Sequence, residues 1–198
     1  MKELHVTLLA LYENMGESFM GQCKLAALIL VLALLAVTAV SGCTSGGTPA
    51  SPSVDPLKAG LPDTLDYQIS VTGGTNGPIT LTYADLKSMD FKTLSDASTV
   101  NSAGTVTTGN YTGVPMAAIL DRAGMPQGNL TFKVTATDGY TKIYTMDQMK
   151  ASILGLKVND TAMTTNINDK VKSIRMIVPG ETNDMWIKMP VKIEIIPA

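Results

Sequence analysis

Several short β-favouring stretches interrupted by three helix starts predict a single α+β domain with short helices. "LDYQISVT" places β-favouring residues at alternating positions, "NLTFKVTAT" and "YTKIYT" flank a hairpin signal, and "MWIKMPVKIEII" is β-rich. Thr82 with Asp85, Pro115 before Met116, and Thr145 with Gln148 each mark the start of a helix. A pure β-sandwich has no use for three such starts. The chain has 198 residues, 45% of them hydrophobic, which is enough for about one domain of ordinary size.

The N-terminus reads separately. Leu25 to Val40 is an unbroken apolar run preceded by Lys24. It is shorter than the roughly 20 residues a spanning helix prefers and suits a signal-peptide core. "VSGC", Val40 to Cys43, follows at once and resembles a lipoprotein signal, in which cleavage leaves Cys43 first and its thiol carries lipid. Glu3, Glu13 and Glu17 make the opening residues acidic, so Met20 is the expected true start. The expected layout is a leader over 1–43, a Gly/Ser/Thr/Pro-rich flexible tether over 44–61, and one domain over 62–198. This layout places the protein at the cell membrane, lipid-anchored on the extracytoplasmic face.

Along the domain, Leu65 to Thr72 is extended, "GGTNGP" turns, and "ITLT" continues extended. Thr82 caps a short helix at "YADLKSM". Lys92 to Val100 is extended. Gly113 is expected to break the chain, with Pro115 in the first turn of a helix whose Met116, Ile119, Leu120 and Ala123 share a face and which Gly124 stops. Asp138-Gly139 is a two-residue hairpin signal between two strands. A helix through Met149 and Ser152 follows, and the β-rich "SIRMIVPG" and "MWIKMPVKIEII" close the chain.

Composition removes whole classes of chemistry. The one histidine is His5 and the two cysteines are Cys23 and Cys43, so the expected mature chain holds no histidine and no free thiol. Ser-His-Asp and Cys-His nucleophilic machinery, histidine-ligated haem and the usual nitrogen and sulfur zinc sites are excluded. A net charge of −2 and only two arginines, Arg122 and Arg175, leave no electrostatic footprint for nucleic acid.

Three stretches in order carry a family likeness. "YTGVPMAAILDRAG" resembles the W/Y-x-G-V-P-L-x-x-L-L-x-x-A-G segment of the molybdopterin-binding domain of the sulfite oxidase family. "KVTATDGYTKIYTMDQM" is similar to a segment in which an A-x-D-G-Y turn precedes a helix. "SIRMIVPGETNDMWIKMPVKIEI" resembles the closing P-x-R-x-V-V-P-G pattern with its later V-K pair and I-E strand. The likeness covers roughly 69–195 and implies a sulfite-oxidase-type molybdopterin-binding-like fold, an α+β architecture of mixed small β-sheets with short helices.

The resemblance also assigns site positions. In the family's enzymes a C-x-G triplet before the G-V-P turn supplies a cysteine thiolate to molybdenum. Here the triplet is "SAG", which puts Ser102 at the ligand position. A hydroxyl gives up its proton far less readily than a thiol and is a harder donor, so a hydroxyl bonded to loop backbone is the expected role. Arg175 matches the arginine before V-P-G, and Lys188 the lysine beyond it. Met185 and Met189 stand where an arginine and a tryptophan are expected, so the basic ring for a pterin phosphate is thinned. Ser102, Arg175 and Lys188 are the cofactor-binding candidates, with no catalytic residue and no metal ligand among them.

The remaining motifs are weaker. Met146, Met149, Met163, Met176, Met185 and Met189 fill gaps in a core poor in aromatics, with Cu(I) binding by thioethers as the competing use. "NYT", "NLT" and "NDT" make Asn110, Asn129 and Asn159 glycosylation sequons. The functional expectation is a degenerate, non-catalytic module that binds a small ligand or protein partner and carries no cofactor. Two alternatives stay open: a molybdopterin-dependent oxidoreductase, and an envelope-structural or adhesive domain.

Overall fold

The computed structural model describes residues 55–197. The expected leader, with Met20 and Cys43, lies outside the described residues. Order begins sooner than the tether composition implies. Asp55 Oδ1 accepts from Leu57 N over a single 3-10 turn at Pro56–Lys58, and Leu57 and Leu61 pack on the core. Two apolar side chains with a surface to cover are enough to dock this end of a Gly/Ser/Pro-rich stretch.

Among the described residues, ten strands form two five-stranded sheets. The first holds β1 (Gln68–Thr72), β2 (Ile79–Thr82), β5 (Leu130–Ala136), β6 (Thr141–Thr145) and β10 (Pro190–Pro197), in the order β2-β1-β10-β5-β6. The β1–β10 pair is parallel and the rest antiparallel. Period-two alternation shows cleanly in β5, where Leu130, Phe132, Val134 and Ala136 are buried and Thr131, Lys133 and Thr135 are half-exposed. The second sheet holds β3 (Lys92–Val100), β4 (Val106–Pro115), β7 (Ile153–Val158), β8 (Thr161–Ala162) and β9 (Arg175–Ile177). β7 is buried along its whole length, with β4 on one side and both β8 and β9 on the other.

The three expected helices are all present and short: α1 (Tyr83–Ser88), α2 (Met116–Ala123) and α3 (Met146–Ala151). Both capping boxes form, Thr82 with Asp85 and Thr145 with Gln148. α2 touches β1 of one sheet, β4 of the other, and α3, so the core runs from sheet to sheet through these helices. Its buried face is the expected Met116, Ile119, Leu120 and Ala123.

Four local expectations are corrected. Gly113 does not break the chain: β4 runs through it to Pro115, because Gly113 lies against Leu154 of β7, where a Cβ would stand 1.9 Å from the carbonyl oxygen. Pro115 is consequently the residue before the helix, and Met116 opens it. The β5–β6 connection has four residues, Thr137 to Tyr140, with Asp138 Oδ1 accepting from Tyr140 N and Gly139 at φ 85°. Trp186 is not in a strand; it ends a 3-10 turn (Asn183–Met185) and buries its ring against Tyr111 at 5.3 Å in an edge-on contact.

Candidate anion site beside strand 9

β9 and the segment after it build the candidate site. Ile187 and Met189 exchange backbone hydrogen bonds with Met176 and Ile174, and Arg175 bridges Lys188 across this ladder. The V-P-G loop between them, Val178 to Met185, therefore closes on itself and delivers Lys188 next to Arg175. Met189 takes a left-handed φ of 46°, so the chain leaves the ladder sharply into β10.

Arg175 is only 4% exposed. Its Nε donates to Ser173 O at 3.2 Å and its Nη2 to Lys170 O at 2.8 Å. Among the described residues no carboxylate lies within ion-pair distance of it. Burial lowers its pKa, with nearby Tyr111 and Asp169 opposing the shift. Lys188 is half-buried, and burial followed by repulsion from Arg175 and Lys170 holds its ammonium below the usual lysine value. Asp169 is occupied elsewhere, its Oδ1 accepting from Val171 N and Lys172 N. Ser173 Oγ, fully buried beside Arg175, has no hydrogen-bond partner. Neighbouring cations without an ion-pair partner are what an anionic group satisfies.

Ser102 is elsewhere in the fold. It sits exposed in the turn of the β3–β4 hairpin, which Asn101 organises by accepting from Ala103 N and Thr105 N through its Oδ1. Gly113 pairs with Gly155, and Gly155 with Arg175, so Gly113 marks the level of Arg175 on β4. From there the hairpin continues to Val106, about 20 Å of strand, before the turn begins. The structure thus brings Arg175 and Lys188 together and puts Ser102 at the exposed end of the hairpin. Sequence reading missed Lys170, Tyr111 and Ser173 altogether. The only trace in the sequence was the basic "DKVKS" run beside Arg175.

Side-chain hydrogen bonds from β3, β6, α3 and the β5–β6 turn pin the V-P-G loop, and Trp186 Nε1 donates to Val178 O at 2.8 Å. Gln148 Nε2 donates to Glu181 Oε1 at 2.7 Å and Lys142 Nζ to Asp184 Oδ2 at 2.6 Å. Tyr140 OH and Tyr144 OH donate to the carbonyls of Asp184 and Met185, and Thr99 Oγ1 to that of Glu181. An open hollow of about 310 Å³ lies between this loop and β3, lined by Thr93 to Ser98 with Pro179 and Gly180. Arg175, Lys188 and Ser102 are not part of its wall.

The family model of the oxidoreductase molybdopterin binding domain matches residues 58–198. The chain belongs to this family. Among solved structures, this molybdopterin-binding-type domain is similar to the sulfane dehydrogenase SoxCD from Paracoccus pantotrophus, at 21% identity and a TM-score of 0.58. The match covers 67% of this chain and 39% of that one, so the likeness is one of fold over part of a longer protein. No curated protein matches the chain.

Fit to the group in the family's name divides at this site. The anionic end of a pterin phosphate suits the charges of Arg175 and Lys188, with Lys170 nearby. The metal end does not fit, since the triplet expected to carry a thiolate presents an exposed serine and no cysteine occurs after Cys43. Among the described residues no group of three or more His, Cys, Asp or Glu side chains is placed to hold a metal ion.

The sequon asparagines differ in setting. Asn110 Oδ1 accepts from Asp96 N at the β3 bulge, and Asn159 Oδ1 accepts from Asn110 N. Both side chains thus brace backbone. Asn129 is exposed in the connection between α2 and β5. Of the six methionines weighed for Cu(I), Met149, Met163, Met176 and Met189 are buried in the core, and Met146 and Met185 pack against it.

Proposed function

We propose that this protein is a lipid-anchored module on the extracytoplasmic face of the cell membrane. Its molybdopterin-binding-type domain holds an anionic group on a small ligand or partner without redox turnover at a metal. One observation carries the reading: two adjacent cations, Arg175 and Lys188, lack carboxylate partners while the thiolate position is a serine on a hairpin turn. Anion binding relieves the repulsion between them, and the backbone bridge at Arg175 and Lys188 keeps both charges in register.

The leader with Cys43 supports the anchored location, and the sequon at Asn129 is the best exposed candidate for glycosylation. Family membership favours a second reading, a molybdopterin-dependent oxidoreductase in which the cofactor supplies the redox chemistry and the protein binds and orients it. Protein produced from Thr44 onward in a cofactor-making host separates the two. We expect molybdenum and oxidised-pterin fluorescence well below one per chain; stoichiometric metal with electron transfer to an acceptor overturns the proposal. Loss of all anion binding as well would favour an envelope-structural role.

A further inference from the structure

The loop between β1 and β2 caps the C-terminal end of α2. Thr75 N donates to Gly124 O at 3.0 Å, Asn76 N to Ala123 O at 2.9 Å, and Asn76 Nδ2 to Arg122 O at 3.2 Å. The approach is close enough that a Cβ on Gly74 would stand 2.2 Å from Ala123 O. Asn76 is exposed, and of the chain's nine asparagines it alone precedes a glycine. Gly77 has nothing within 4 Å of where a Cβ would stand, and its N–H makes only a long 3.3 Å hydrogen bond to Gly74 O. The other hairpin-turn asparagine, Asn101, has its Oδ1 held by two N–H groups and is followed by a serine.

We propose that Asn76-Gly77 is a deamidation site in the folded protein, and that its conversion removes the cap on α2. Gly77 N attacks Asn76 Cγ, forming an N–C bond and breaking Cγ–Nδ2; ammonia leaves with the glycine amide proton, and a succinimide results. Water then adds to either ring carbonyl and reopens the ring as aspartate or isoaspartate. No electrons are transferred, and the net reaction consumes one water and releases one ammonia.

Aspartate at position 76 replaces a donor facing Arg122 O with an anion at the negative end of a helix dipole. Isoaspartate adds a methylene to the backbone and pulls the Asn76 N–H off Ala123 O. Both products loosen the contact between the first sheet and α2.

The test is to incubate the full-length chain in detergent at pH 8 and 37 °C and map peptides over time. The Asn76 peptide is expected to gain about one mass unit and split into two isomers ahead of the other eight asparagines, with matching ammonia release. Asn76→Asp is expected to lower Tm by about 2–6 °C, while Asn76→Gln, which keeps an amide and forms no five-membered ring, resists conversion. Conversion at Asn76 no faster than at Asn101, or conversion only after unfolding in urea, overturns the proposal. An unchanged Tm for Asn76→Asp overturns the capping role.

Discussion

Arg175 and Lys188 sit side by side and differ in their contacts. The guanidinium is buried and spends two donors on the carbonyls of Ser173 and Lys170, which otherwise have no partner from that side chain. Arg175→Ala is therefore expected to destabilise by about 1–3 kcal/mol, seen as an earlier midpoint in chemical denaturation. Lys188 makes no such bonds, so Lys188→Ala is expected to change stability by less than about 0.5 kcal/mol. The same change should weaken inorganic phosphate binding, measured by calorimetry. Phosphate affinity unchanged by Lys188→Ala would remove the anion site. Affinity in the parent protein should also fall with rising pH, since the lowered pKa of Lys188 makes it lose its charge sooner than an ordinary lysine.

At the level of elements, β4 shows how a small residue decides pairing. Gly113 lets β4 and β7 approach across the sheet, and the Cβ position is filled by the backbone of Leu154 and Gly155. Gly113→Ala forces these strands apart, and a loss exceeding about 3 kcal/mol is expected, read as a lower denaturation midpoint or as insoluble protein. β4 itself was not legible in the sequence. "VTTGNYTGVP" has threonines and glycines where an alternating pattern would need large apolar residues, and its strand state comes from neighbours on both sides. β7 escaped for the converse reason: "ILGLKV" is buried on both faces and shows no period of two. The capping boxes and the face of α2 were legible because they depend on residues within one or two turns.

Charge regulation belongs to the whole molecule. Hydrogen bonds from Thr82 hold Asp85 below the usual carboxylate range. The backbone N–H groups of Lys172 and Val171 do so for Asp169, Lys142 and Thr182 for Asp184, and Lys192 and Lys133 for Glu194. A carboxylate with a lowered folded value stabilises above its unfolded pKa, near 4, and that contribution is lost as pH falls through the folded value. Burial raises the phenols of Tyr67 and Tyr144, so their contribution is present below about pH 10 and is lost as pH rises beyond it. Tm is thus expected to be flat from about pH 5 to 9 and to fall on both sides. Asp184→Asn should soften the acid fall and Tyr144→Phe the alkaline one. A Tm that kept rising below pH 4 would contradict this assignment.

What the chain alone determined is local or compositional: the absence of histidine and of thiol after Cys43, the α+β class, the caps and the family motifs. These follow from residue type and short spacing, which need no partner from afar. Tertiary structure alone decided that Lys188 stands beside Arg175, that Ser173 lies buried without a partner, and that Ser102 ends a hairpin. It also decided that the loop at Asn76 closes over α2. Each of these depends on strand register or on loop closure between distant residues, and such pairing is set by packing of the whole core.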